Sequence, residues 1–181
     1  MNQYKTACGG TINIPHQAQQ HLIAHPDVLA HLHAAISQLH LPRLPRKIEE
    51  EIDVGQIIGR SGVVKTAPLQ MEEKALFSFR TTRKLPSRVA KVCDYGQETS
   101  KIVIIARPSS IENQYDLITS SVGTLAKKEP WDKSIVEKVE FQECLSFWCV
   151  TALVYDPTIM GPVFESSWQD VLTLGKSRFC A

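Results

Sequence analysis

The sequence has 181 residues, the length of one ordinary domain and enough to bury about 70% of its unfolded surface. Apolar residues make up 43% and charged residues 22%, which excludes a largely disordered chain. Lysine plus arginine number 20 against 19 aspartates plus glutamates, a net charge of +1, so any binding to nucleic acid or membrane must come from a local patch.

Residues 1–15 read as an irregular arm, interrupted by Gly9 and Gly10, with a short strand at Thr11 to Ile14. Residues 16–40 read as helices. A first one ends near His25, and Pro26 suits the first turn of a second. Val28, Leu29, Leu32, Ala35, Ile36 and Leu39 then recur at helical spacing and form an apolar stripe. LPRLPRK, residues 41–47, is a hinge, because Pro42 and Pro45 stop a helix. Its basic residues are nearly cancelled by Glu49, Glu50 and Glu51.

From residue 52 the pattern turns to strands. Val54 to Ile58 and Val63 to Thr66 read as two short strands around Gly59 and Gly62, and Ala75 to Thr82 as a third. Val89 to Val92 extends another. Lys101 to Ala106 is the strongest, β-branched and nearly continuous. Asp116 to Leu125 should pair with it as a hairpin. Ser134 to Trp148 fits a helix only loosely, Cys149 to Asp156 reads as a last strand, and 163–174 as a closing helix. Helices, then strands over 52–156, then a helix specify one α+β domain. N-terminal helices pack on one side of a mostly antiparallel sheet.

Five cysteines without a CxxC pair indicate neither a disulfide framework nor a zinc knuckle. The start carries no signal-peptide pattern, and no apolar run reaches membrane-spanning length, so a cytoplasmic protein with no membrane partner is expected. GQIIGRSG departs from a phosphate loop in its glycine spacing and in carrying Arg60 where lysine belongs. His21 and His25 have helical spacing, but Pro26 interrupts the helix and no third ligand is evident, so neither metal nor cofactor is expected.

The segment that stands out is FRTTRKLPSR. It gathers Arg80, Arg83, Lys84 and Arg88 with Thr81, Thr82 and Ser87, and no acid interrupts it. Guanidinium forks bind phosphate oxygens bidentately, so the segment reads as a phosphate-binding strand. The competing reading is a charged, solvated sheet edge. Arg60, Lys65 and Thr66 can join the patch, and Thr119, Ser120 and Ser121 put hydroxyls in a neighbouring strand.

EIDVGQIIGRSGVVKT, the spaced arginines, KIVIIA, YDLITSSVGTL, EPWD and FWCVTALVYD together resemble a widespread group of small bacterial proteins of unassigned function. In layout that group is similar to the microbial ribonuclease and toxin superfamily of barnase, colicin-type tRNases and RelE-type toxins. The resemblance implies metal-independent endoribonuclease activity. Arg80 and Arg83 would stabilise the transition state, Ser120 or Thr119 would position the substrate, and His25 or Lys65 would supply the base. Related proteins carry a histidine where this chain has Thr151, and no histidine follows His40. The alternative is a non-catalytic domain of the same fold. It would bind RNA or a protein partner, with Trp131 or Trp168 mediating assembly. Nothing in the sequence assigns an oligomeric state.

Overall fold

The computed structural model describes residues 2–23, 25–81, 84–90 and 96–174. Its backbone divides into two compact units, residues 1–61 with 97–125 and residues 62–96 with 126–181. The first unit begins with strands β1 (Asn2–Lys5) and β2 (Thr11–Ile14), helices α1 (His16–Ile23) and α2 (Pro26–Gln38), and strands β3 (Ile48–Asp53) and β4 (Gly59–Arg60). The second unit takes β5 (Val63–Lys65), β6 (Ala75–Arg80) and β7 (Pro86–Arg88). β8 (Glu98–Thr99), β9 (Lys101–Pro108) and β10 (Gln114–Val122) belong to the first unit. α3 (Lys138–Cys149), β11 (Thr151–Leu153), β12 (Met160–Ser166) and α4 (Trp168–Leu174) complete the second. The fold class is α+β with mostly antiparallel sheets and a short C-terminal helix. No helix among the described residues is long and apolar enough to cross a membrane.

The first unit is built on a five-stranded sheet in the order β1-β2-β10-β9-β3. β9 and β10 form the antiparallel hairpin that their sequences specify. Asn113, at φ 55°, makes its turn, and asparagine tolerates that left-handed conformation better than most residues. The β2–β10 pairing is parallel, while β1–β2 and β3–β9 are antiparallel. Alternation puts Ile12, Ile14, Ile48, Ile102, Ile104, Ala106, Tyr115 and Leu117 on the face that α1 and α2 cover. Val28, Leu32, Ala35, Ile36 and Leu39 meet them, and all are buried. Leu29, part of the same periodic stripe in the sequence, is 44% exposed and lies at its margin.

Three features of this unit differ from the sequence expectations. The arm at 1–15 is ordered as the β1–β2 pair. Val54 to Ile58 is not a strand. The strand lies upstream at Ile48–Asp53, because Ile48 and Ile52 alternate inward while Glu49 and Glu51 fall on the opposite face of a sheet edge. β10 ends at Gly123, φ +117°, where an added Cβ would stand 2.5 Å from the Ser61 hydroxyl.

In the second unit, β12-β6-β7 form one sheet and β11 pairs with β5. The core holds Phe77, Phe141, Trp148 and Trp168, all at most 2% exposed. Phe77 meets Trp168 edge-on, with centroids 5.1 Å apart at 88°. Trp168 is therefore no assembly surface. Trp131 is half-buried, and its indole N–H donates to the Pro86 carbonyl at 3.1 Å. The closing helix starts later than the expected residue 163. Residues 160–166 pair with β6, and Ser167 caps α4 by accepting the Asp170 N–H at 3.1 Å. Val89 makes one bridge to Leu153, and the rest of the expected 89–92 strand lies mainly outside the described residues.

The exposure contrast on α2 is measurable. Leu32→Ala should cost about 2–5 kcal/mol of stability, and Leu29→Ala less than about 1 kcal/mol. Urea denaturation of the two variants beside wild type checks this, and equal losses would contradict the helix orientation.

Candidate functional site

The phosphate-binding residues anticipated from the sequence are divided between the two units. Arg80 is half-buried at the end of β6, and Lys84 is exposed before β7. Thr82 and Arg83 lie outside the described residues. Lys65 is exposed on β5, and the Thr66 hydroxyl donates to the Ala67 carbonyl at 3.1 Å. Arg60 lies in the first unit, on β4, where it pairs with the Glu98 carboxylate at 3.3 Å. Both partners are more than half exposed, so the pair contributes at most about 1 kcal/mol.

Arg88 corrects the sequence expectation most clearly. It is 7% exposed, and its Nη1 donates to the carbonyls of Trp148 (2.9 Å), Cys149 (3.0 Å) and Thr151 (3.3 Å). The carbonyls of Trp148 and Cys149 stand at the end of α3, where backbone acceptors lack intrahelical partners and the helix dipole is negative, and that of Thr151 opens β11 just beyond. Arg88 therefore closes a helix. Burial holds its pKa below the ordinary value, opposed by the nearby Cys149. Ser120 also turns inward. It sits opposite Ile104 on the helix-covered face, 1% exposed, and its hydroxyl donates to the Val103 carbonyl at 2.7 Å. His25 stands just before α2, in the first unit with Ser120, whereas Arg80 belongs to the second.

What the first unit does assemble is a cleft that the sequence reading missed. β2 pairs with β10 only from Thr11–Gln114 to Asn13–Asp116. Pro15 follows at once, has no N–H to continue the ladder, and leads into α1. β10 runs on alone on that side, with a bulge between Leu117 and Thr119. α1 occupies the space that β2 vacates. Between them lies a cleft of about 440 Å³. Pro15, Gln17, Ala18 and His21 form one wall, Leu117, Ile118 and Thr119 the other, and Arg107 of β9 reaches in.

The electrostatics of this cleft are one-sided. None of its described lining residues is a carboxylate. The first turn of α1 holds no acidic residue, and its leading N–H groups, having no carbonyl a turn earlier, present partial positive charge. Arg107 is exposed and makes no ion pair among the described residues. Its cross-strand neighbour Asp116 instead accepts the Asn13 amide at 3.1 Å, in a row that continues to Gln3. The His21 pKa is held below its ordinary value, first by desolvation and then by the charge of His25. Hydroxyl, amide, guanidinium and helix N-terminus together are equipped to hold an oxyanion.

The sequence signal for this site was thin. Arg107 is a single cation ending an apolar strand, and Pro15 a single punctuation between strand and helix. Only tertiary pairing brings them together. Among the described residues no group of three or more His, Cys, Asp or Glu is placed to hold a metal. The chain matches no protein-family model, and neither curated proteins nor solved structures gave a match.

The role of Arg88 yields a direct prediction. Arg88→Ala should lose about 3 kcal/mol of stability by stranding buried carbonyls, whereas Lys84→Ala should stay within about 0.5 kcal/mol. Thermal melts of both variants check this. An Arg88→Ala variant as stable as wild type would show that the guanidinium does not serve the helix end.

Proposed function

We propose that this protein binds phosphate-bearing ligands of nucleotide size in the α1–β10 cleft, without cleaving them. The observation that carries this reading is Arg107, which makes no ion pair among the described residues and lines one cleft with the first turn of α1, no carboxylate standing among the described lining residues. Anions favour such a terminus, and a guanidinium supplies the complementary full charge. The volume of about 440 Å³ falls within the range of small-ligand sites. Leu117, Ile118 and Ala18 offer an apolar wall against which the rest of the ligand can rest.

Metal-independent RNA cleavage, which the sequence resemblance implies, requires a phosphate clamp, a positioning hydroxyl and a base at one phosphodiester. The buried, backbone-bonded hydroxyl of Ser120 and the internal duty of Arg88 favour binding over that chemistry.

The test is calorimetry of the full chain with AMP and with adenosine. AMP should bind and adenosine should not. Arg107→Ala should weaken AMP binding at least about tenfold, the loss expected for one charge-assisted hydrogen bond of about 1.5 kcal/mol or more. Arg80→Ala should leave it unchanged. Equal binding of AMP and adenosine would overturn a phosphate site. RNA cleavage in EDTA by wild type and not by Arg80→Ala would restore the nuclease reading.

A further inference from the structure

The cleft contains a second cation whose charge is conditional. His21 lies one turn along α1 from the leading N–H groups and lines the cleft with Arg107. Its ring meets that of His25, with centroids 4.6 Å apart and planes tilted by 57°. His25 holds the N-cap position of α2, where a short oxygen-bearing side chain is normally preferred, yet its side chain makes no capping bond. The pair is thus spent neither on closing that helix nor on a metal, since no third ligand stands near among the described residues.

The surroundings of His21 are sparse in charge. From β9 it shares the cleft with Arg107, and from β10 with Thr119 and Leu117, which carry none. From the start of α2 it is faced by His25. Asp27 lies two residues beyond, with a carboxylate oxygen beside Gly59 of β4. On α1 itself the other titratable residue is His16, exposed and outside the cleft lining. No carboxylate among the described lining residues stands to pair an imidazolium, which leaves an anion from outside to do so.

We infer that His21 makes this cleft acid-responsive: neutral, it leaves Arg107 as the full charge among the described lining residues, and protonated, it adds another that strengthens the hold on a bound oxyanion. The inference rests on the phosphate-binding reading of the cleft. Desolvation and then the neighbouring His25 hold the pKa of free His21 below its ordinary value, so they disfavour its imidazolium. A bound anion acts in the opposite sense and favours the imidazolium, so binding takes up a proton. Affinity therefore rises as pH falls through the His21 pKa of the bound form. It levels off below that of the free form.

The probe is inorganic sulfate, which keeps its charge across the range where histidine titrates. Wild type should bind it about tenfold more tightly at about pH 5 than at about pH 8, the gain expected from one added charge-assisted contact. His21→Gln should flatten that profile. His25→Gln should move the rise to higher pH, because one opposing charge is gone. Sulfate should also move the His21 ring titration, followed by NMR, to higher pH. Equal wild-type affinity at both pH values, or a His21→Gln profile as steep as wild type, would overturn the role of His21 and leave the cleft standing. Absence of sulfate binding at either pH would overturn the cleft and this inference together.

Discussion

The antiparallel pairing of β9 with β10 is the constraint on which the first unit depends. The two strands occupy interior positions of the sheet, and each has a free edge to fill. β3 takes the edge of β9 and β2 takes part of the edge of β10. The face carrying Ile102, Ile104, Leu117 and Tyr115 must then be covered, and α2 supplies Leu32, Ala35 and Ile36 for that purpose. Burial of these side chains is the main favourable term, because apolar area removed from water contributes about 25 cal/mol per Å². The cleft follows from an imperfection in the same arrangement. β2 is too short to cover β10, and a helix laid alongside a strand leaves a gap that a paired strand would close.

The second unit solves a different problem. Its short sheets leave polar groups inside that side chains satisfy. Arg88 reaches the end of α3, the Trp148 indole N–H reaches the carbonyls of Lys127 and Lys128, and buried Ser87 donates to buried Glu129 at 2.9 Å. A buried polar group costs stability unless it is bonded. A sequence segment that looks like a phosphate clamp is here divided in use: Ser87 and Arg88 are internal, while Lys84 faces solvent. Charge density along a chain does not distinguish these fates, because it ignores which face of the strand each residue occupies.

Much of the framework was legible nonetheless. The apolar period of Val28 to Leu39 and the β-branched run of Lys101 to Ala106 announced α2 and β9, since each buries one continuous face. Strand β3 was hidden because three consecutive glutamates mask the alternation of Ile48 and Ile52. The start of α4 was hidden because Trp168, Val171 and Leu172 share their stretch with Val163 and Phe164, which pair with β6. The Ser167–Asp170 spacing, a helix-start signature, was the signal that could have placed it.

The sequence by itself determined the α+β class, the order of most elements and the absence of a global charge, because these depend on composition and local periodicity. It did not determine the function of any single arginine. Arg88 became a helix cap through contacts with residues 60 or more positions away, and Arg107 a cleft cation because the fold sets it beside a cleft whose other wall, with Gln17, lies far away in sequence. Strand register and the early end of β2 decided those contacts. Both are settled by the packing of the whole sheet, where a shift of one residue reverses every side chain.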